Sequence, residues 1–288
     1  MAVGDSWVTL VVAPVLSVLF TQVVFLGHDA GHQQVTGSRR INRLLGLVAG
    51  NALTGVSFGW WVPKHNAHHA YPNQVGRDPD LGGGLVGFSA GTATSGPCSL
   101  AKARRARLEK WLFVPVLLLQ GLGLRVTGAQ SVLRRRSKVE AVLLLANATG
   151  FVAAVFLVLS PTKALAFVAV QQGLFGLYLG CTFAPNHKGM PIVAGDAEIG
   201  FVRRQVATAR NVAGGRVVTL MFGGLNYQIE HHLFPTMPRP NLARAQVIVS
   251  AFCCHHDLAY REDRIIDSYR TAFQGLARPA LLAQPAPV

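Results

Sequence analysis

The stretch WVTLVVAPVLSVLFTQVVFLGHDAGH, residues 7–32, carries an uncharged, mostly apolar run from Trp7 to Leu26 straight into a His-x-x-x-His pair, His28 and His32. About 20 residues in a helix measure about 30 Å, the thickness of a bilayer's hydrocarbon core, so the run is long enough to cross. No basic leader and no small-residue cleavage site accompany it, and it reads as a span over residues 7–27, not a secretory signal. Its end delivers two imidazoles to the membrane surface. Residues four apart lie on one helix face, so both rings can aim at one point, and neutral imidazole is the commonest metal ligand in proteins.

Two further clusters repeat the theme: His65-Asn66-Ala67-His68-His69 and Gln228-Ile229-Glu230-His231-His232. Together the three hold seven of the ten histidines. His65, His68 and His69 have the spacing of one helix face, whereas His231 and His232 point about 100° apart and suit two neighbouring ions. An all-imidazole ligand set fits zinc, copper, iron or nickel, and so many rings exceed the roughly four that a single tetrahedral ion takes. Two metals are the natural reading. The four cysteines offer no competing site: Cys98 and Cys181 are isolated, Cys253 and Cys254 are adjacent, and no C-x-x-C occurs. They read as reduced thiols in a cytosol-facing or buried setting.

Half of the 288 residues are hydrophobic, only 14% are charged and mean hydropathy is +0.34, which is membrane composition. The net charge of +14 sits between apolar stretches, at Arg104, Arg105 and Arg107, at Arg134 to Arg136, and at Arg203 with Arg204. No basic helix or aromatic platform goes with it, so nucleic acid is excluded as a partner and the arginines read as cytoplasmic loops.

Sidedness then constrains the remaining apolar segments. If residues 41–63 crossed once, the first two clusters would face opposite sides, about 30 Å apart. With Gly46, Gly50, Asn51, Thr54, Gly55, Ser57 and Gly59 in it, and Trp60 and Trp61 suited to headgroup depth, this segment is expected to lie in the interface or dip and return. Between clusters two and three an even number of segments must cross. Residues 139–159 and 164–184 make the better pair, joined by the turn Ser160-Pro161-Thr162-Lys163, with Arg134, Arg135, Arg136 and Lys138 before them and Lys188 after. Residues 111–127, interrupted by Pro115, Gly121, Gly123 and Arg125, become an interfacial or re-entrant helix. His187 leaves the last span at the depth where the clusters meet and is expected to be an eighth ligand. Residues 185–278 form a cytosolic part of a single 1–278 domain, and 279–288, rich in Pro and Ala, a disordered tail.

These boxes, in this order, resemble the membrane-bound fatty acid desaturase family. The strings Gly27-His28-Asp29-Ala30-Gly31-His32, Ala184-Pro185-Asn186-His187-Lys188-Gly189-Met190-Pro191 and Asn226-Tyr227-Gln228-Ile229-Glu230-His231-His232-Leu233-Phe234-Pro235 are similar to those of bacterial acyl-lipid or acyl-CoA desaturases, over nearly the whole chain. The resemblance implies an all-α integral membrane protein whose cytosolic helical cap carries the metals. It implies two non-haem irons held by His28, His32, His65, His68, His69, His187, His231 and His232, with molecular oxygen as co-substrate and an acyl chain in a bent tunnel. Gln228 stands where many relatives have histidine, as in front-end desaturases, and is a weak ligand or a hydrogen bonder there. The family usually places two spans before the first box, and His28 leaves room for one, so the first helix of the four-span fold is expected to be missing. No His-Pro-Gly-Gly haem signature occurs, so electrons are expected from a separate ferredoxin or cytochrome b5 type carrier with its reductase. Membrane lipids surround the chain, the bacterial plasma membrane is its expected location, and the active site faces the cytoplasm.

No side-chain acid or base removes hydrogen from an unactivated methylene, so the oxidising power must come from the cofactor. Asp29, Asn66, Asn186 and Glu230 are candidates to orient the metal-binding rings. Other residues take plainer readings. His255 and His256 are surface or packing residues, Asp78 and Asp80 form a turn with Pro79, and Gly82 to Gly84 is a flexible loop. Lys188, Arg203, Arg204 and Arg210 suit a headgroup, an acidic electron carrier or anionic lipid. Two other functions compete: a hydroxylase using the same boxes, and a histidine-lined metal transporter, which would want its ionisable residues within the spans.

Overall fold

A computed structural model describes residues 4–81 and 100–277, the latter without side chains for 100–110 and 276–277. The Gly82 to Gly84 loop, Cys98, and the 279–288 tail lie outside the described residues, as do the side chains of Arg104, Arg105 and Arg107. The chain forms two compact units, Met1–Pro63 with Val114–Gly180, and Lys64–Phe113 with Cys181–Val288.

The first unit begins with a 3-10 turn, Trp7–Val11, whose N–H at Val8 is capped by the Ser6 hydroxyl, and continues as helix α1, Val12–Gly31. Helix α2, Arg39–Gly46, starts at Ser38, whose hydroxyl accepts from Ile41 N. It runs into a π-helical stretch, Leu47–Thr54, that ends at Gly55 with φ +70°, a left-handed conformation glycine adopts without strain. Helix α3, Phe58–Ala70, leaves at 114° to the segment before it, so residues 39–70 form a broken span or a re-entrant loop. The Asn51 amide oxygen accepts from Phe58 N, and Ser57 Oγ from Trp60 N, which supplies partners at the break.

Helix α4, Leu100–Arg135, is continuous. The expected interruption by Pro115, Gly121 and Gly123 does not occur, and Trp111–Arg135 is, among the described residues, one of four helices long and apolar enough to cross a membrane. The others are Trp7–Gly31, Lys138–Val158 (α5) and Pro161–His187 (α6). The glycines pack instead of breaking. A Cβ on Gly121 would lie 2.8 Å from Gln172 O, and one on Gly176 2.6 Å from Leu117 O, so their absence lets α4 and α6 touch backbone to backbone. Pro161 opens α6 at a first-turn position that needs no N–H donor, which shortens the expected turn to Leu159 and Ser160. Ala13, Val155, Leu159, Ala164 and Phe167 form a core among α1, α5 and α6, and Ser17 Oγ donates to Gln171 O across it. Most of α5 is exposed, as a lipid-facing helix requires: 6% of its apolar window is buried.

The second unit is built from short elements: α7 (Phe201–Thr208), α8 (Arg216–Met221), α9 (Gln228–Leu233), α10 (Arg239–His255) and α11 (Ile265–Ala277). Within this helical fold it also holds a short parallel pair, β1 (Asn211–Ala213) with β2 (Glu262–Arg264). Val206, Ala209, Ile229, Val249 and Cys253 make its core. Arg210 is fully buried and donates to the carbonyls of Pro185, Lys188 and Ser268, with Asp263 3.5 Å away. It is therefore a clamp on the end of α6, and no lipid headgroup reaches it.

Candidate metal centre

The second unit gathers six of the expected ligands. His65, His68 and His69 leave the C-terminal half of α3, His187 ends α6, and His231 and His232 sit on α9; five are buried and His187 is half-buried. The adjacent pair on α9 divides. The His232 ring lies 4.1 Å from that of His69, 4.7 Å from His187 and 5.1 Å from His68, while His231 lies 4.7 Å from His69 and 6.4 Å from His65. The planes of His231 and His232 are 89° apart.

His68, His187 and His232 present ring nitrogens that all lie within 4.8 Å of one another. The other nitrogen of each ring is committed. His68 Nδ1 is 3.0 Å from both Asp78 oxygens, His187 Nδ1 is 3.0 Å from Thr208 O, and His232 Nδ1 is 3.0 Å from Gln205 Oε1. Gln205 Nε2 donates to His69 O, which fixes its oxygen as the atom facing His232. All three partners accept, so each Nδ1 carries the proton and each Nε2 offers a lone pair. His68 Nε2 and His187 Nε2 stand 3.3 Å apart, and buried His232 Nε2 has no hydrogen-bond partner among the described residues. Such an array fits a cation: at about 2.1 Å from each nitrogen, one ion sets ligands about 3–4 Å apart. His65 Nε2 and His69 Nε2 approach to 3.1 Å in the same way.

The electrostatics agree with neutral donors. Burial pushes His232 well below the ordinary imidazole range, and His69, His187, His68 and His231 push the same way. His68 is the exception: burial lowers it, but the charge and hydrogen bond of Asp78, with Asp80 behind, raise it overall. Asp78 does form the expected turn, accepting from Asp80 N and Asn73 N, and the same carboxylate orients His68. Asn73, at φ +56°, ties this turn to the end of α6 by donating to His187 O and Pro191 O.

In the first unit, His28 and His32 are buried at the end of α1 with rings 4.7 Å apart, and Trp61 lies 5.4 and 6.4 Å from them. Burial, then the neighbouring His28, lowers His32 to about 2.

The expected orienting residues fare unevenly. Asp29 Oδ1 is 3.5 Å from His28 Nδ1, at the limit of a hydrogen bond. Asn66 is exposed and bonds to no ring among the described residues, because its position is turned about 100° from His65. Asn186 Nδ2 donates to Leu225 O and Gln228 Oε1, so it orients Gln228. Gln228 then turns its Nε2 to His187 Nε2 at 2.9 Å, a donor aimed at a lone pair, so an ion taking that nitrogen must displace it. Glu230 bonds to no imidazole among the described residues. It accepts from Asn211 Nδ2 and the Tyr260 hydroxyl and anchors α9 beside β1. Burial raises the Glu230 carboxyl above its usual range. His255 and His256 are exposed on α10, away from the cluster. Asp78, Thr208 and Gln205 are the orienting groups that sequence reading missed, and only Asp78 had a local signal.

A family model described as fatty acid desaturase matches residues 5–264. The chain belongs to the fatty acid desaturase family. It is a membrane protein, with four apolar helices and a histidine cluster able to hold metal. Among curated desaturases, it is 34% identical over 271 residues to an acyl-lipid (9-3)-desaturase of Physcomitrium patens, covering 87% of this chain and 49% of the relative. It is 33% identical over 283 residues to a Delta(6)-fatty-acid desaturase of Caenorhabditis elegans, 93% and 64% covered, and 29% identical over 276 residues to a Delta(8)-fatty-acid desaturase of Arabidopsis thaliana, 91% and 61% covered. The chain thus spans about half to two thirds of the length of these relatives.

Proposed function

We propose that this desaturase-family chain introduces a carbon–carbon double bond into a fatty acyl chain, using O2, two electrons and a di-iron centre. The observation that carries the reading is the set of three Nε2 lone pairs on His68, His187 and His232, each fixed by an acceptor at Nδ1. The proposed ligands are His28, His32, His65, His68, His69, His187, His231 and His232; His28 and His32 are assigned from box order and burial. Iron bound there would supply the activation of O2, the oxidant: two hydrogens from adjacent methylenes, two electrons from the carrier and two protons would reduce it to two waters.

The chain's own residues do the remaining work. Asp78, Thr208 and Gln205 hold the rings in place, so a cation meets them already oriented once Gln228 gives up its bond to His187 Nε2. Burial of the cluster keeps water from its lone pairs. The relatives' names as acyl-lipid and fatty-acid desaturases support an acyl substrate, and a ferredoxin or cytochrome b5 type carrier is the proposed electron source.

We also propose that α4 lies along the cytoplasmic face of the membrane, which keeps the crossings between His65 and His187 even. In support, Leu117 meets Gly180, about 10 Å along α6 from its C-terminal end, and Arg135 pairs with Glu140 at the start of α5. Those two helix ends share a face if α5 and α6 both cross, and α4 would then lie near it at Leu117 and at Arg135.

The test is expression in cells lacking desaturases, with fatty acid profiling by gas chromatography and mass spectrometry. A new alkene that disappears with His232→Ala is expected; an alcohol instead would assign hydroxylation, and no lipid product with increased metal uptake would assign transport.

A further inference from the structure

The first unit holds an open pocket of about 340 Å³ whose polar lining is Arg39, Arg43, Arg135, Glu140 and Gln33. We propose that it binds the phosphate of a glycerophospholipid headgroup and that this lipid carries the acyl substrate, which rests on the desaturase reading above.

Charge is the first argument. Three guanidiniums face one carboxylate, and that carboxylate is already engaged. Glu140 accepts from Arg135 Nη1 at 3.0 Å, Ser57 Oγ at 2.6 Å, Asn51 Nδ2 at 3.2 Å and Gly59 N at 3.2 Å. Arg39 and Arg43 have no ion-pair partner among the described residues, and at i and i+4 on α2 they share a face, where like charges repel unless an anion lies between them. The planar guanidinium fork matches phosphate oxygens, and two forks side by side suit a phosphodiester.

Shape and position select the carrier. Leu47, Phe58 and Val62 give the cavity an apolar wall, as expected where a headgroup meets its acyl chains. Gly31 in the lining directly precedes His32, and Phe58 to Pro63 is the turn of α3 before His65. An acyl chain leaving the pocket starts beside the first histidine box.

The experiment uses the iron-loaded full chain in detergent, with binding read by native mass spectrometry for phosphatidylglycerol and for diacylglycerol of the same chains. Phosphatidylglycerol is expected to bind at least about tenfold more tightly. R39Q/R43Q should erase that preference while iron content and melting temperature stay at wild-type values, and R39K/R43K should retain part of it. Equal binding of the two lipids by the wild type, or an unchanged preference in R39Q/R43Q, overturns the proposal. Displacement of the lipid by millimolar inorganic phosphate or coenzyme A also overturns it, since the site would then take a soluble phosphate. Arginine-dependent lipid binding without any desaturated product sinks the desaturase reading and leaves the phosphate site standing.

Discussion

Asp78 carries two jobs with one carboxylate: it closes the turn to Asp80 and holds the Nδ1 proton of His68. Asp78→Asn keeps the shape but offers the ring a weaker acceptor, so iron affinity should fall about 10–100-fold, read as iron per protein by plasma mass spectrometry. Unchanged iron binding would show that the ring needs no such lock. His232→Ala removes a buried lone pair at the centre of the cluster and is expected to abolish both iron content and product, measured on the same preparation. The histidines were legible because a helix maps spacing onto direction. Their acceptors were not: Gln205 is 27 residues from His232, and Thr208 is 21 from His187. Asn66 shows the converse, since it neighbours His65 in sequence and yet lies on the exposed side of the helix.

At the scale of elements, α4 and α6 turn on three glycines, of which sequence alone presents Gly121 as a weak point. Gly121, Gly176 and Gly180 sit where the two helices touch, and a side chain at Gly176 meets the α4 backbone. Gly176→Val should therefore destabilise the chain by about 1–3 kcal/mol, seen as a lower melting temperature in detergent. Gly150, on exposed α5 with nothing within 4 Å of a Cβ, is the control: Gly150→Ala should be neutral or stabilising by about 0.5–1 kcal/mol. A loss at Gly150 equal to that at Gly176 would mean that helix propensity, not close approach, sets the cost. A lone glycine in a helical pattern has the same letter whether it breaks the helix or admits a neighbour, and only the partner distinguishes them.

At the scale of the whole molecule, a buried cluster of lone-pair nitrogens is a liability without a cation and a source of stability with one. Removing metal with a chelator should lower the melting temperature, and ferrous iron at about 100 times its Kd should restore about 2.7 kcal/mol. A melting temperature indifferent to both would remove the metal assignment. The sequence by itself determined the membrane class, three histidine boxes, the apolar helices and the family, because hydropathy and i, i+4 spacing are local properties of a chain. Tertiary structure decided which nitrogen of each ring is free to bind, that Arg210 is a buried clamp, that Asn66 faces away, and that Arg39, Arg43 and Arg135 line one cavity. Each of these depends on a partner brought from far along the chain, and direction, burial and charge pairing exist only once that partner is in place.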